Sequence, residues 1–381
     1  MITSATRLEY VQEYYFSQKL REVAALKASG KPILNMGIGS PDMPPHPSVI
    51  TALQSGVSAP NAHQYQSYQG LPELREAMAH FYQEKYAVAC NPSNEILPLM
   101  GSKEGIMHLS LAFLNKGDKV LIPNPGYPTY TSVTKLVEAI PLYYDLKEAH
   151  DWQPDLTQLE QMDLQGVKLM WLNYPHMPTG ANAVNSTFEK LIAWAKKRGI
   201  LLINDNPYSF ILNETPKSLL QFPGALEVGL ELNSLSKSFN MAGWRVGMLL
   251  GNAHYIKEVL KVKSNMDSGM FYGIQQGAIA ALQQDASWFE SLNATYRKRR
   301  NAMEQLAALA GCTPYLRSVG MFVWAKINDS SVSSEAFVDT LLHKHHLFVA
   351  PGTVFGGKGE GYVRFSLCVQ EEMIQKAMER F

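Results

Sequence analysis

The chain has 381 residues, long enough for two domains or for one large α/β domain with a smaller appendage. Its 34 basic and 34 acidic side chains balance, so no net field favours binding to nucleic acid or to an anionic membrane. The expected partners are therefore small molecules or other copies of the chain.

The cysteines Cys90, Cys312 and Cys368 are widely separated and lack metal-ligand spacing. We expect buried free thiols in a reducing compartment. The N-terminal stretch "RLEYVQEYYFSQKLREVAALKASG" has charged residues throughout and a helical period, unlike an export signal. No apolar run reaches the ~20 residues that span a bilayer. We expect a soluble cytoplasmic protein.

The middle of the chain alternates extended and helical patterns. They predict a strand in 95–102, a helix over 103–114, a strand over 119–123, a helix within 128–139, and strands near 140–146 and over 166–172. Ser186 and Glu189 form a plausible capping box for the helix "FEKLIAWAKKRG", which the glycine ends. "ILLINDN" (200–206) is a nearly uniform apolar strand, typical of a mostly parallel sheet buried on both faces. "ELNSLSKS" and "VGMLLG" give two more strands.

Beyond about residue 280 the pattern changes. A long charged helix, "ASWFESLNATYRKRRNAMEQLAAL", leads into "MFVWAKI", another helix, "LFVAPG" and "YVRFSLC". We predict a large α/β domain over 46–280, a mostly parallel mixed sheet sandwiched by helices, and a small α+β domain over 281–381. Residues 1–45 are too few for their own core and are expected to pack on the small domain.

"NSLSKSFNMAGWRVG" (233–247) places Ser234, Ser236 and Lys237 at the end of an apolar strand, with Arg245 eight residues after the lysine. Hydroxyls and a guanidinium suit a phosphate, and a lysine amine can form a Schiff base. A solvated, polar transition from strand to loop explains the spacing equally well.

"NDNPYSF" (204–210) places Asp205 at the end of a strongly apolar strand and Tyr208 three residues later. A buried carboxylate requires a cation, and a protonated pyridine nitrogen would be one. A helix or turn cap is the alternative, for which Asp-Asn-Pro is good local chemistry.

"GSKEGI" (101–106) ends a strand and begins a helix at Gly101, Ser102 and Lys103. The free N–H groups and the dipole of a helix N-terminus favour an anion. This combination is common, so the signal is weak by itself.

Together these stretches resemble the class I/II aminotransferases, pyridoxal-phosphate enzymes of fold type I. The resemblance covers nearly the whole chain and is closest to the branch of alanine, aspartate and LL-diaminopimelate aminotransferases. It is carried by ordered motifs at similar separations: "NMGIGSPDMPP", "YQGLPELREAMA", "GSKEGI", "PNPGYPTY", "NYPxxPTG", "NDNPYSF", "SLSKSFNMAGWRVG", "NMDSGMF" and "VRFSL".

The resemblance implies a role for each group in a pyridoxal-phosphate site. Lys237 matches the Schiff-base lysine, Asp205 the partner of the pyridinium nitrogen, and Tyr208 the phenol that hydrogen-bonds the ring 3′-oxygen. The phosphate ligands match Ser234 and Arg245, with Ser236 nearby and the backbone at Ser102 and Lys103.

Four further positions are implied by the same resemblance. Tyr127 matches the aromatic residue that stacks on the ring. Arg364 matches the arginine that grips the substrate α-carboxylate, with the backbone of Gly39 on the other side. Tyr65 matches a tyrosine that reaches the phosphate of the neighbouring subunit, which implies a homodimer.

The implied reaction moves an amino group from an L-amino acid to a 2-oxo acid through pyridoxamine phosphate, with ping-pong kinetics. The freed Lys237 amine is the general base, and Asp205 keeps the ring nitrogen protonated. C–S lyases and decarboxylases share the fold and remain alternatives. A degenerate cofactor-binding protein is another, which the intact Lys237, Asp205, Arg245 and Arg364 disfavour.

The substrate side chain is poorly specified by the sequence. "SNMDSGMFYG" (264–273), which in the resembling branch approaches the side-chain pocket, contains no arginine. A neutral or mixed pocket is therefore expected. Candidate entrance residues, which are equally good core residues, are Tyr15, Phe16, Met270 and Phe271.

"NYPHMPTG" (173–180) departs from the family pattern at Met177, where asparagine is typical. The asparagine amide hydrogen-bonds the ring 3′-oxygen, and a thioether cannot donate. Tyr208 would be the main donor, unless His176 or a water substitutes. We predict a working but altered site with a shifted pH dependence.

Overall fold

The computed structural model describes residues 2–11 and 15–381. Its strands, in chain order, are β1 (Leu34–Asn35), β2 (Ile96–Leu99), β3 (Lys119–Asn124), β4 (Ile140–Asp145), β5 (Val167–Leu172), β6 (Leu201–Asp205), β7 (Gly229–Ser234), β8 (Gly247–Gly251), β9 (Cys312–Pro314), β10 (Phe322–Ile327), β11 (Leu347–Phe348), β12 (Ala350–Pro351) and β13 (Tyr362–Ser366). Its α-helices are α1 (Tyr15–Ala28), α2 (Pro47–Val57), α3 (Pro72–Tyr86), α4 (Ser102–Phe113), α5 (Pro128–Leu136), α6 (Leu156–Gln161), α7 (Asn185–Arg198), α8 (Ala225–Val228), α9 (Leu235–Ser238), α10 (Ala253–Lys263), α11 (Tyr272–Leu282), α12 (Ala286–Leu309), α13 (Ser334–Lys344) and α14 (Glu371–Met378).

A seven-stranded sheet forms the centre of the chain, in the order β2-β8-β7-β6-β5-β3-β4. β8 is antiparallel to both its neighbours, whereas the pairs from β7 across to β4 are parallel. Every residue of β6 and β7 is buried, which explains the uniformly apolar stretch that predicted β6. The predicted mostly parallel mixed sheet is confirmed.

Helices cover both faces of this sheet. On one face, α4, α5 and α10 pack through apolar side chains such as Ile106, Val133 and Ile256. On the other face, α3 and α11 pack through Phe81, Ala278 and their neighbours. Because both faces are covered, the carboxyl edge of the parallel strands is the open part of the sheet, where ligands bind in α/β folds.

A four-stranded antiparallel sheet, in the order β12-β13-β10-β9, forms a second unit towards the C-terminus. α12 packs on β9 and β10, and α13 packs on β12 and β13. The short β1 pairs in parallel with β11, with Leu34 opposite Leu347. This pairing joins Leu34 and Asn35 to a strand near the C-terminus. The division into residues 1–45, 46–280 and 281–381 stays a prediction.

The start of α7 differs from the predicted capping box. The helix begins at Asn185, and Val184, which has no side-chain oxygen, is its N-cap residue. Ser186 therefore lies inside the first turn, where its hydroxyl cannot cap the helix, and the capping-box prediction is wrong. Gly199 ends the helix with a φ of +68°, as predicted.

The three thiols are unpaired, Cys312 and Cys368 being buried and Cys90 half-buried. Burial raises the pKa of each of them. Across residues 2–11 and 15–381, no helix combines the length and hydropathy that crossing a bilayer requires.

Candidate active site

A cavity of about 440 Å³ lies where β5, β6 and β7 end, between the central sheet and the C-terminal unit. It contains all but one of the residues that the sequence assigned to the site. These residues come from distant parts of the chain: Gly39, Ser102, Lys103, Tyr127, Met177, Asp205, Tyr208, Ser234, Ser236, Lys237, Arg245 and Arg364. The remaining lining residues, which the sequence did not single out, are Asn173, Pro207, Ala242, Phe322 and Phe355.

Lys237 lies on the short helix α9, directly after β7. Its Nζ donates a hydrogen bond of 2.6 Å to the carbonyl oxygen of Gly39. Burial lowers the pKa of Lys237, Cys368 acts in the opposite direction, and the positive charges of Arg364 and Arg245 lower the pKa further. A lowered pKa increases the fraction of neutral amine, the form that is a nucleophile and a base.

One end of the cavity is suited to an anion. Ser102 begins α4, so free backbone N–H groups lie beside Ser234 and Ser236, whose Oγ atoms are 2.8 Å apart. Arg245 donates to the carbonyl oxygens of Ala242 at 3.1 Å and Met100 at 3.4 Å. Its guanidinium is close to the backbone of Gly101, where an added Cβ would lie only 1.9 Å from Nη2.

Asp205 lies at the end of β6 with its carboxyl group almost completely buried. Oδ2 accepts a hydrogen bond of 2.9 Å from the Tyr130 hydroxyl, whereas Oδ1 has no hydrogen-bond partner among the described residues. Burial raises the pKa of Asp205 to about 7; the Tyr130 hydrogen bond lowers it, and the charge of Glu231 raises it. A cationic ligand atom in the cavity would satisfy Oδ1 and favour the ionised carboxylate.

Arg364 lies on β13 and is buried against apolar side chains. Its guanidinium carbon is 4.0 Å from the centre of the Phe322 ring and 4.7 Å from that of Phe355. Nη2 donates to the carbonyl oxygen of Gly37 at 2.8 Å, and Nη1 lies 3.2 Å from Sδ of Met177. This cation lines the cavity and can bind a carboxylate there.

The turn that contains Met177 does not place His176 in the cavity. His176 is buried, with Nδ1 2.7 Å from Oγ1 of Thr179, and burial lowers the pKa of the imidazole to about 3. Asn173 does line the cavity, but its Nδ2 donates to the backbone oxygen of Asp205 at 2.6 Å. Its Oδ1 accepts the backbone N–H of Met177 at 3.0 Å. Neither side chain therefore replaces the donor that a methionine lacks.

Tyr65 is the predicted site residue that the structure does not bring to the cavity. Its side chain is 92% exposed. Of the candidate entrance residues, Tyr15 lines an adjoining cavity of about 850 Å³, which shares Tyr127 and Phe355 with the first. Met270 is buried and Phe271 is partly exposed. The side chain of Phe16 lies outside the described residues.

Four residues that the sequence analysis missed contribute to the site. Asn173 directly follows an apolar strand, and Asp205 ends one, so the position of Asn173 could have marked it as a candidate site residue. Tyr130, three residues after Tyr127, had only the spacing of one helical turn to mark it. Phe322 and Phe355 read as core aromatics, and no sequence pattern separates a ring that packs on Arg364 from one that packs elsewhere.

The cavity fits pyridoxal phosphate in its chemistry. Oδ1 of Asp205, which has no partner within residues 2–11 and 15–381, suits a ring N–H. The end beside Arg245 suits a phosphate, and Lys237 supplies an amine. Because Gly101 has no side chain, the Arg245 guanidinium can lie close to its backbone, at the end of the cavity suited to a phosphate.

Comparisons with known proteins agree with this geometry. The family model for aminotransferase class I and II matches residues 31–381. The chain is 38% identical over 381 residues to an LL-diaminopimelate aminotransferase of Oleidesulfovibrio alaskensis, covering 99% of this chain and 98% of the relative. A relative of the same name from Aquifex aeolicus is 36% identical, covering 100% and 98%. A substrate-bound structure of BacF from Bacillus subtilis is 35% identical, with a TM-score of 0.95, covering 100% of this chain and 97% of that one.

Proposed function

Because the chain belongs to the class I and II aminotransferases, we propose that the 440 Å³ cavity is its active site. The chain is a pyridoxal-phosphate-dependent aminotransferase of fold type I, acting on an amino acid and a 2-oxo acid. What we propose is the role of each individual residue in this site. One observation carries it: Lys237, Asp205, Arg245 and Arg364, from four separate stretches, line a single cavity.

In this proposal, residues at opposite ends of the cavity hold the cofactor. Asp205 would pair with the ring nitrogen through Oδ1, Tyr127 would stack on the ring, and Tyr208 would donate to the ring oxygen. Ser234, Ser236, Arg245 and the backbone of Ser102 and Lys103 would hold the phosphate. When bound, pyridoxal phosphate supplies an electron sink for the carbanion that forms when the α-proton leaves.

The chain's own residues then handle the substrate and its proton. Arg364 and the backbone of Gly39 orient the α-carboxylate, which directs the α-C–H bond towards Nζ of Lys237. Since burial favours the neutral amine, Nζ can accept this proton and return it. The rings of Phe322 and Phe355 keep water from one side of Arg364, which strengthens its pairing with a carboxylate.

LL-diaminopimelate is the first substrate to test, because curated relatives covering almost the whole chain carry that activity in their names. This amino acid has an ammonium and a carboxylate at its far end. The adjoining 850 Å³ cavity is lined by both Lys135 and Glu335, so it offers charges of both signs beyond Tyr127 and Phe355. Other L-amino acids remain part of the test.

We further infer a homodimer in the cytoplasm. The exposed Tyr65 would reach the phosphate end of the partner's cavity, since its side chain has almost no cover in its own chain. Three unpaired thiols support a reducing compartment.

The test begins with the near-ultraviolet and visible absorbance of the protein after addition of pyridoxal phosphate. We expect a bound-cofactor band in the wild type that is absent from Lys237→Ala. A single-turnover panel of LL-diaminopimelate, L-aspartate, L-glutamate, L-alanine and L-phenylalanine follows. Loss of the band with release of a 2-oxo acid supports amino transfer. Equal spectra for wild type and Lys237→Ala would contradict the assignment of Lys237, and pyruvate or ammonia with an unchanged band would indicate a lyase.

A further inference from the structure

Glu231 is a buried acid that the proposed chemistry does not use. It lies in the middle of β7, its side chain is fully buried, and it does not line the cavity. Taking a carboxylate out of water is costly unless other groups stabilise its charge. Its surroundings therefore need an explanation.

Both oxygens of Glu231 accept hydrogen bonds from neutral donors. Oε1 accepts from the Tyr82 hydroxyl at 2.9 Å and from Nδ2 of Asn206 at 3.2 Å. Oε2 accepts from the backbone N–H of Leu219 at 2.7 Å and from Nδ2 of Asn204 at 3.2 Å. The Tyr82 oxygen in turn accepts from Nδ2 of Asn233 at 3.0 Å, which directs its proton towards Glu231.

These hydrogen bonds favour the ionised carboxylate. The pKa of Glu231 is raised, chiefly by burial, and the hydrogen bonds from Leu219 and from the Asn204 and Asn206 amides offset part of that shift. A protonated carboxyl would have to turn its own O–H towards one of these donors and lose that bond. The charge is stabilised by a set of dipoles.

Two of these donors flank Asp205: Asn204 lies on β6, and Asn206 directly follows its last residue. Successive side chains of a strand point to opposite faces, so Asn204 and Asn206 share one face and Asp205 projects from the other, into the cavity. In the sheet register, Asn204 lies opposite Glu231, and Asp205 lies opposite Leu232. The Glu231 carboxylate thus accepts hydrogen bonds from both neighbours of Asp205, on the side opposite the cavity.

We propose that Glu231 is a positioning residue for Asp205, fixing the end of β6 so that Oδ1 of Asp205 faces the cofactor ring nitrogen. The inference rests on the proposed role of Asp205. Because Asp205 acts on the ring nitrogen, a loosened strand end lowers kcat and weakens cofactor binding.

The other titratable groups around Glu231 are neutral. Tyr82 and Tyr86 face it from α3, and Cys90 follows that helix; burial raises the pKa of all three. Lys217 reaches this network through its backbone oxygen, which accepts from Asn206 at 2.9 Å. Asp205 and Glu231 are accordingly the two acids whose coupling a pH profile reports.

The test is a double-mutant cycle on the holoenzyme with Glu231→Gln, Asp205→Asn and the combined variant. The readouts are kcat and its pH profile with the fastest amino acid of the panel above, and the Kd of pyridoxal phosphate. We expect Glu231→Gln to lower kcat by about 10²-fold, the effect of a misplaced catalytic group, with a smaller change in KM. In the Asp205→Asn background the same substitution should change kcat and Kd little further.

Tyr82→Phe is the matched control, since it removes a donor to the same carboxylate but leaves β6 untouched. It should lower the Tm while keeping kcat within about twofold of the wild type. If Glu231→Gln does not fold, Asn206→Ala takes its place in the cycle, because it removes one of the two side-chain bonds that flank Asp205 and keeps the charge of Glu231.

The outcomes separate the two proposals. If Asp205→Asn keeps its kcat, the proposed role of Asp205 is wrong. If Asp205→Asn is impaired but Glu231→Gln is not, only the positioning inference fails. It also fails if the two effects multiply in the double variant, because independent effects mean that Glu231 does not act through Asp205. It fails too if Tyr82→Phe lowers kcat as much as Glu231→Gln, because that result indicates a general loss of stability.

Discussion

Substitution of Gly101 tests the phosphate end of the cavity, because this glycine leaves room for Arg245. A Cβ at residue 101 would lie 1.9 Å from Nη2 and 2.6 Å from Cζ of Arg245, so Gly101→Ala must displace the guanidinium. The φ of Gly101 is +88°, and alanine in that conformation costs about 1–3 kcal/mol of backbone strain.

The expected loss of cofactor affinity follows from the displaced contact. A hydrogen bond to a charged group contributes about 1.5–3 kcal/mol. Since Arg245 is exposed to solvent, the lower end applies, and about 1.5 kcal/mol corresponds to roughly a tenfold rise in the Kd of pyridoxal phosphate. Absorbance titration of the cofactor-free protein measures this Kd.

Gly117→Ala is the control that distinguishes backbone strain from the clash with Arg245. Gly117 has a nearly identical φ of +86°, and an added Cβ there would have no atom of the described part of the chain within 4 Å. Both variants should have a lower Tm, but only Gly101→Ala should bind pyridoxal phosphate more weakly. Equal affinity in the two variants would refute the reasoning that Arg245 is a phosphate ligand held beside Gly101.

The remaining predictions concern Met177, the dimer and Asp205. Met177→Asn adds a donor at the ring oxygen and should lower the pH midpoint of the cofactor absorbance titration by about one unit. Met177→Leu should leave the midpoint unchanged, and an unchanged midpoint in Met177→Asn would contradict the prediction. Lys237→Ala and Tyr65→Ala should each be nearly inactive, and co-expression should restore activity through hybrid dimers with one intact site; failure to complement would place Tyr65 outside the partner's site. In cofactor-free protein, Asp205 holds its proton to about pH 7 when folded but loses it near pH 4 when unfolded, so its contribution to stability falls as pH rises between these values. Thermal unfolding should show this fall in the wild type and a flatter profile in Asp205→Asn; identical profiles would show that Asp205 is not protonated by burial.

The fold and much of the site could be predicted from the sequence because each strand end carries its polar residues in order. Apolar runs marked β5, β6 and β7, and the residues after them converge because parallel strands end at one edge. Lys237 and Asp205 were found in this way. The long α12 was predicted over the same residues that form it, since a charged, uninterrupted pattern fixes both ends.

The rest depended on contacts across the chain. Tyr130 donates to Asp205 across 75 positions, and Phe322 packs on Arg364 from a neighbouring strand; neither pairing has a local sequence signature. The capping box at Ser186 failed because the helix extends two residues further towards its N-terminus than local propensity indicates. Glu231 escaped notice because a single acid in an apolar strand does not reveal which amides surround it.

The most direct test of the account is the location of the lysine that holds the cofactor. Protein loaded with pyridoxal phosphate is treated with borohydride, which fixes the cofactor covalently, and proteolytic peptides are sequenced by mass spectrometry. We predict the modification at Lys237. Modification of Lys103, which lines the same cavity, or of no single lysine, would contradict it.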